Sequence, residues 1–120
     1  MRPTGIVANL SVRDVSEARE FYEDFLGLSV ESFDMGWVAR LTSPDGEAVI
    51  QLVSRDATSA VDSVASVLVG DSVDDAYADA QRRGLEIVHP LTTEPWGVRR
   101  FFVRAPDGNV FNIAGHTGNL

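Results

Sequence analysis

Cysteine and lysine are both absent from the 120 residues. The first absence excludes a disulfide scaffold and thiolate chemistry. The second removes Schiff-base chemistry. Histidine is scarce: only His89 and His116 are present. No apolar run approaches the roughly 20 residues that a membrane-spanning helix needs. The opening stretch, MRPTGIVANLSVRD, has an apolar run too short for a secretory signal and no cleavage-like pattern, so a cytoplasmic location is expected. There is no Gly-rich phosphate loop, zinc-ligand spacing or Ser-His-Asp set. Basic residues are outnumbered, 10 against 18 acids, for a net charge of -8. That field repels phosphate backbones and anionic lipid surfaces, so neither nucleic acid nor membrane is an expected partner. It favours a cationic partner, or serves only solubility.

What is present points to one domain over residues 1–120. The apolar content is 44%, too high for a disordered chain. A chain of this length hides roughly two thirds of its extended surface, a modest core that oligomerisation commonly supplements.

A single unit occurs twice, over about residues 5–54 and 63–115. Each copy runs strand, acidic helix, Gly-Leu turn, strand, strand, Pro-Asp-Gly turn, strand. In the first, Ile6 to Val12 reads as a strand. Asp14 and Glu17 have the spacing of a capping box. Val15, Ala18, Phe21, Tyr22, Phe25 and Leu26 then recur at helical spacing. Gly27 suits a left-handed helix end. Phe33 to Met35 and Trp37 to Leu41 follow as strands around a Gly36 turn. Ser43-Pro44-Asp45-Gly46 signals a hairpin, and Ala48 to Val53 is the fourth strand. Arg55 to Asp62 is a polar linker or covering loop.

In the second copy, Val64 to Val69 is a strand. Ser72 and Asp75 suggest another capping box, and Val73, Ala76, Tyr77 and Ala80 a helical stripe. Leu85 to Val88 is a strand, His89 to Pro95 a long loop, and Val98 to Arg104 and Val110 to Ala114 the last strands. Gly115 to Leu120 is expected to fray. Leu10 precedes Leu68 by 58 positions, Gly27 precedes Gly84 by 57, and Gly46 precedes Gly108 by 62. The expected fold class is α+β: two βαβββ repeats whose mixed sheets curl around a shared cleft, with helices outside.

The segments LSVRDVSEAREFYEDFLGL and RRFFVRAPDGNVFNI, with the duplication, resemble the vicinal oxygen chelate superfamily of glyoxalases, bleomycin-resistance proteins and ring-cleaving dioxygenases. The resemblance covers residues 5 to 115. It implies the fold strongly and the function weakly, because the superfamily hosts many activities. Its metal enzymes take ligands from four strand positions, which fall here on Val7, Gln51, Ala65 and Asn112. Val and Ala cannot coordinate, and neutral Gln and Asn carbonyls are weak donors for a divalent ion. No metal and no cofactor is expected. His89, at the head of a loop, and His116, in the tail, read as surface residues.

With the family register, strand alternation lines the cleft with Val7, Asn9, Ser11, Val49, Gln51, Val53, Ala65, Val67, Val110 and Asn112. This is an apolar surface with a few neutral hydrogen-bonding groups, suited to holding a small molecule. Asn9 and Asn112 either contact a ligand or tie down backbone. Trp37 and Trp96 stand at element edges, where they either stack on a flat ligand or pack beneath loops. One of Arg40, Arg99 and Arg100, with Arg100 the chosen candidate, could hold an acidic or phenolic group. The others read as surface residues.

The resulting expectation is a metal-free binding protein similar to the bleomycin-resistance branch. It would sequester an antibiotic or aromatic natural product, hydrophobic and in one variant cationic, as a homodimer and without catalysis. The alternatives are a glyoxalase- or dioxygenase-like enzyme with a displaced metal, a metal-independent enzyme, and a structural module without ligand.

Overall fold

A computed structural model describes residues 1–116 of the chain. The chain divides into two compact units, one of Val7–Asp62 and one of Met1–Ile6 with Ser63–Leu120. They are called here the first-repeat and second-repeat units.

The first-repeat unit contains most of β1 (Gly5–Ser11), then α1 (Val15–Glu20), a π-helical turn (Phe21–Phe25), β2 (Val30–Asp34), β3 (Val38–Thr42) and β4 (Val49–Val53). β1 pairs parallel with β4, and β3 pairs antiparallel with both β4 and β2. Asp14 caps α1 as its spacing predicts, Oδ1 accepting from the Glu17 amide at 2.9 Å. The Glu17 carboxylate does not complete the box; it pairs with Arg13 instead. The apolar stripe splits. α1 ends at Glu20, and the next turn widens so that Leu26 N–H reaches Phe21 O at 3.1 Å. Phe21 and Phe25 are thereby stacked in solvent, 53% and 77% exposed. The core lies between α1 and one sheet face: Val15 and Leu28 pack with Ala39, Leu41 and Leu52. Arg19 clips α1 to the edge strand β2 through Glu31 and Asp34, and also pairs with Glu23 of the π-helical turn. These contacts, led by the Glu31 hydrogen bond, raise its pKa further above the ordinary arginine value.

The second-repeat unit contains β5 (Ala65–Leu68), α2 (Val73–Arg82), β6 (Glu86–Thr93), β7 (Val98–Arg104) and β8 (Val110–His116). Its pairing repeats the first: β5 with β8 parallel, β7 antiparallel to both β8 and β6. The core again lies under the helix, with Val73, Ala76 and Ala80 against Val67, Phe101 and Ile113. Tyr77 meets Phe101 edge-on at 5.0 Å. Arg99 reaches the helix side of the sheet and holds Asp74 at 2.8 Å, drawing that carboxyl below its usual range.

Three expectations are corrected here. Ser72 does not cap α2 through its side chain, because its hydroxyl donates back to Val69 O at 2.7 Å. The segment expected as a long loop is mostly strand: β6 runs to Thr93, and only Glu94 to Gly97 turn, closed by Gly97 N–H to Glu94 O at 3.0 Å. β8 continues through Gly115 to His116; the remaining tail residues, 117–120, lie outside the described residues.

The expectation of sheets curling around a shared cleft is also overturned. The hydrogen-bonded order is β2-β3-β4-β1-β5-β8-β7-β6, an open series that neither closes nor curls strongly. Closure requires the two outer strands to pair. β6 carries Pro90, which has no N–H to offer, and both β2 and β6 have register shifts that break a regular edge.

Gly115 marks a close backbone approach in the second-repeat unit. A Cβ there would sit 2.1 Å from Gly70 O and 3.1 Å from Val73 Cβ, so β8 and the start of α2 meet only because this side chain is missing. Gly115→Ala is expected to destabilise the protein by about 1–3 kcal/mol, as overpacking does, read as a lower urea midpoint.

Candidate functional site

In a sheet, residues directly opposite on neighbouring strands point to the same face. The helix-free face of each unit therefore carries a cross-strand row. In the first-repeat unit the row is Phe33, Arg40, Gln51, Asn9. In the second it is His89, Phe102, Asn112, Ser66. The rows correspond strand for strand. The offset falls from 62 at the turn glycines to 61 at Gln51 and Asn112 because the second hairpin closes Ala105 on Asn109, whereas the first closes Ser43 on Ala48.

The first row is a continuous polar chain. Arg40 donates from Nε and Nη2 to Gln51 Oε1 at 2.9 and 2.7 Å. Gln51, only 6% exposed, donates from Nε2 to Asn9 Oδ1 at 2.6 Å. The guanidinium also lies 5.0 Å over the Phe33 ring, a cation–π contact. Burial lowers the Arg40 pKa from its ordinary value, but an arginine starts so high that it remains a cation.

The second row differs at one decisive place: Phe102, fully buried, stands where the first row has Arg40. Asn112 Nδ2 donates to Ser66 Oγ at 3.1 Å, while Asn112 Oδ1 is buried with no hydrogen-bond partner among the described residues. Beside the row, Arg100 donates from Nε to Glu94 Oε2 at 2.8 Å, both side chains 3% exposed. The Arg100 guanidinium lies 4.8 Å from the Phe102 ring and 5.1 Å from the Trp96 ring. His89 is tilted against Phe102 at 5.3 Å. Its Nε2 stands 3.4 Å from Glu94 Oε2 without making a hydrogen bond.

The residues singled out from the sequence fall as follows. Asn9 and Gln51 are joined in the first row, and Val7, buried, precedes Asn9 on the same strand face. Asn112 sits in the second row, with Arg100 and Trp96 beside it. Trp37 is half-buried in the turn between β2 and β3, its carbonyl accepting from Ser54 N–H at 2.9 Å. Ala65 neighbours Ser66 and so points to the opposite face, the one on which Val67 packs under α2. From the sequence, Glu94 has no assigned role, His89 reads as a surface residue and Arg40 is only one of three arginines that could hold a ligand group. His89 and Glu94 were hidden by the loop assignment, and Arg40 by an unknown facing; the Arg40–Gln51 register is the signal that would have found it.

These side chains do not fit a divalent metal. Val7 and Ala65 have no donor atom. The Gln51 carbonyl already takes two N–H groups from a cation that would repel a second one. Among the described residues, no three of His, Cys, Asp and Glu are grouped to hold an ion.

Glu94→Ala would remove the carboxylate to which the buried Arg100 guanidinium donates. It is expected to cost about 3–5 kcal/mol of stability, as for other broken buried pairs, measured by urea denaturation. Replacing both partners with apolar residues should recover much of that loss.

Comparison with known proteins agrees with the duplicated fold. Among solved structures, the chain is similar to an NAD-dependent benzaldehyde dehydrogenase from Legionella pneumophila, with TM-score 0.75, 17% identity, 94% of this chain and 100% of that one covered. It is similar to an uncharacterized protein from Methanosarcina mazei, with TM-score 0.70, 26% identity and coverages of 100% and 98%. A methylmalonyl-CoA epimerase from Mycobacterium tuberculosis gives TM-score 0.68, 22% identity and coverages of 97% and 90%. No curated protein matches. The family profile of glyoxalases, bleomycin resistance proteins and dioxygenases matches residues 6–113. That span is nearly the whole chain, and the chain belongs to the glyoxalase/bleomycin resistance protein/dioxygenase superfamily.

Proposed function

We propose that this protein is a metal-free small-molecule binding protein that sequesters an antibiotic or aromatic natural product. The observation that carries this reading is the Arg40–Gln51–Asn9 chain, which places a guanidinium against a position where the family's metal enzymes hold a ligand. The second-repeat row and its neighbours Trp96 and Arg100 offer the ligand aromatic surface and hydrogen-bonding groups. Asn112 is its polar contact in the second-repeat unit; Asn9, Gln51, Val7 and Trp37 are separate candidates within the first-repeat unit, and Ala65, which faces α2, drops out. The net charge of -8 suits a neutral or cationic ligand and disfavours nucleic acid. The protein acts in the cytoplasm as a homodimer in this proposal. The exposed Phe21, Phe25, Leu26 and Val30 supply apolar surface for self-association, and light scattering tests it.

A metal-independent enzyme is a second reading, favoured by the buried Glu94 carboxylate beside His89. It predicts substrate turnover that Glu94→Gln abolishes.

The binding reading is tested by metal analysis together with a tryptophan-fluorescence and thermal-shift screen against antibiotics and aromatic metabolites. The expected outcome is less than stoichiometric metal and a saturable fluorescence change for at least one compound. At 100 times its Kd, that compound should stabilise the fold by about 2.7 kcal/mol. Stoichiometric zinc, nickel or iron in the purified protein, or silence across the panel, would sink it.

A further inference from the structure

The two cross-strand rows differ in whether their polar atoms are satisfied. In the first, the Gln51 carbonyl receives two N–H groups from Arg40. In the second, the equivalent carbonyl, Asn112 Oδ1, is also buried but has no donor among the described residues, because Phe102 stands where the first row has the arginine. A buried acceptor left in this state costs about 1–3 kcal/mol, so native structures normally supply it a partner. A second orphan lies in the same row. His89 Nε2 is buried and unbonded, 3.4 Å from a Glu94 carboxylate oxygen. His89 and Asn112 flank Phe102 on adjacent strands, which sets their backbones about 10 Å apart.

We infer that this row recognises an aromatic molecule presenting hydrogen-bond donors, phenolic O–H or amine N–H, and carrying no anionic group at those points. The inference rests on the small-molecule-binding reading above and names the chemistry of its ligand. A donor satisfies the Asn112 carbonyl as Arg40 satisfies Gln51. A carboxylate or phosphate would set its lone pairs against the Asn112 carbonyl and its charge against Glu94. Arg100, two residues from Phe102 on β7, is already held by Glu94 at 2.8 Å.

Three probes of one ring system test this by tryptophan-fluorescence titration: 2,6-dihydroxynaphthalene, 2,6-dimethoxynaphthalene and naphthalene-2,6-dicarboxylate. The diol is expected to bind at least about tenfold more tightly than the diether, the worth of one satisfied hydrogen bond, and the dicarboxylate more weakly still. Asn112→Leu should remove the advantage of the diol over the diether. Asn112→Asp, which keeps the shape and an acceptor, should retain it and guards against a folding defect in the leucine variant. If the diether or dicarboxylate matches the diol, or if Asn112→Leu leaves diol affinity intact, the donor rule is overturned while the binding reading stands. If neither these probes nor any compound of the broader screen binds, both fall.

Discussion

The parallel pairing of the first and last strand of each repeat is the constraint from which the site follows. Asn9 is set against Gln51 and Ser66 against Asn112. Because side chains alternate along a strand, a shift of one residue would exchange the two faces. Leu52 and Ile113 would leave the helix side, and Gln51 and Asn112 would enter it. The apolar residues under α1 and α2 thus fix the register, and the register assembles the polar rows on the other face. The site is a by-product of where the core must lie.

Within that frame the two repeats have diverged by single residues. Arg40 completes its row and closes it: its guanidinium satisfies Gln51, rests on Phe33 and supplies the positive charge that makes a metal unwelcome. Phe102 leaves the matching row unfinished. The charge in that unit moves to Arg100, where Glu94 neutralises it between two aromatic rings. A pair buried so completely is costly to desolvate and is weak evidence for stability. Its physical consequence is to hold the Glu94–Gly97 turn, and Trp96 with it, against β7.

Much of the fold was legible in the sequence because the signals were local. Pro44-Asp45-Gly46 and Pro106-Asp107-Gly108 form the turns their composition demands, with Asp45 and Asp107 each accepting from the amide two residues on. Asp14 caps its helix. β6 was misread because Pro90 and the flanking polar residues imitate a loop; an edge strand tolerates a proline where a central strand would not. Ser72 was misread because a serine has two local acceptors to choose between, and backbone geometry decides which wins. The missing second half of the α1 pattern has a similar origin. Phe21 and Phe25 keep helical spacing, but the widened turn brings them to solvent rather than to the core.

By itself the sequence determined the duplication, the order of elements, the hairpin turns and the absence of strongly coordinating side chains at Val7, Gln51, Ala65 and Asn112. Each of these depends on residue identity or on neighbours within a few positions. The tertiary structure decided that the eight strands form an open order rather than curling around a cleft. It also decided that Arg40 faces Gln51, that His89 and Glu94 join Arg100, and that Asn112 has a buried carbonyl with no donor among the described residues. These depend on which strands pair and in what register, a long-range choice made by burial of the whole apolar surface. No local window of residues encodes it.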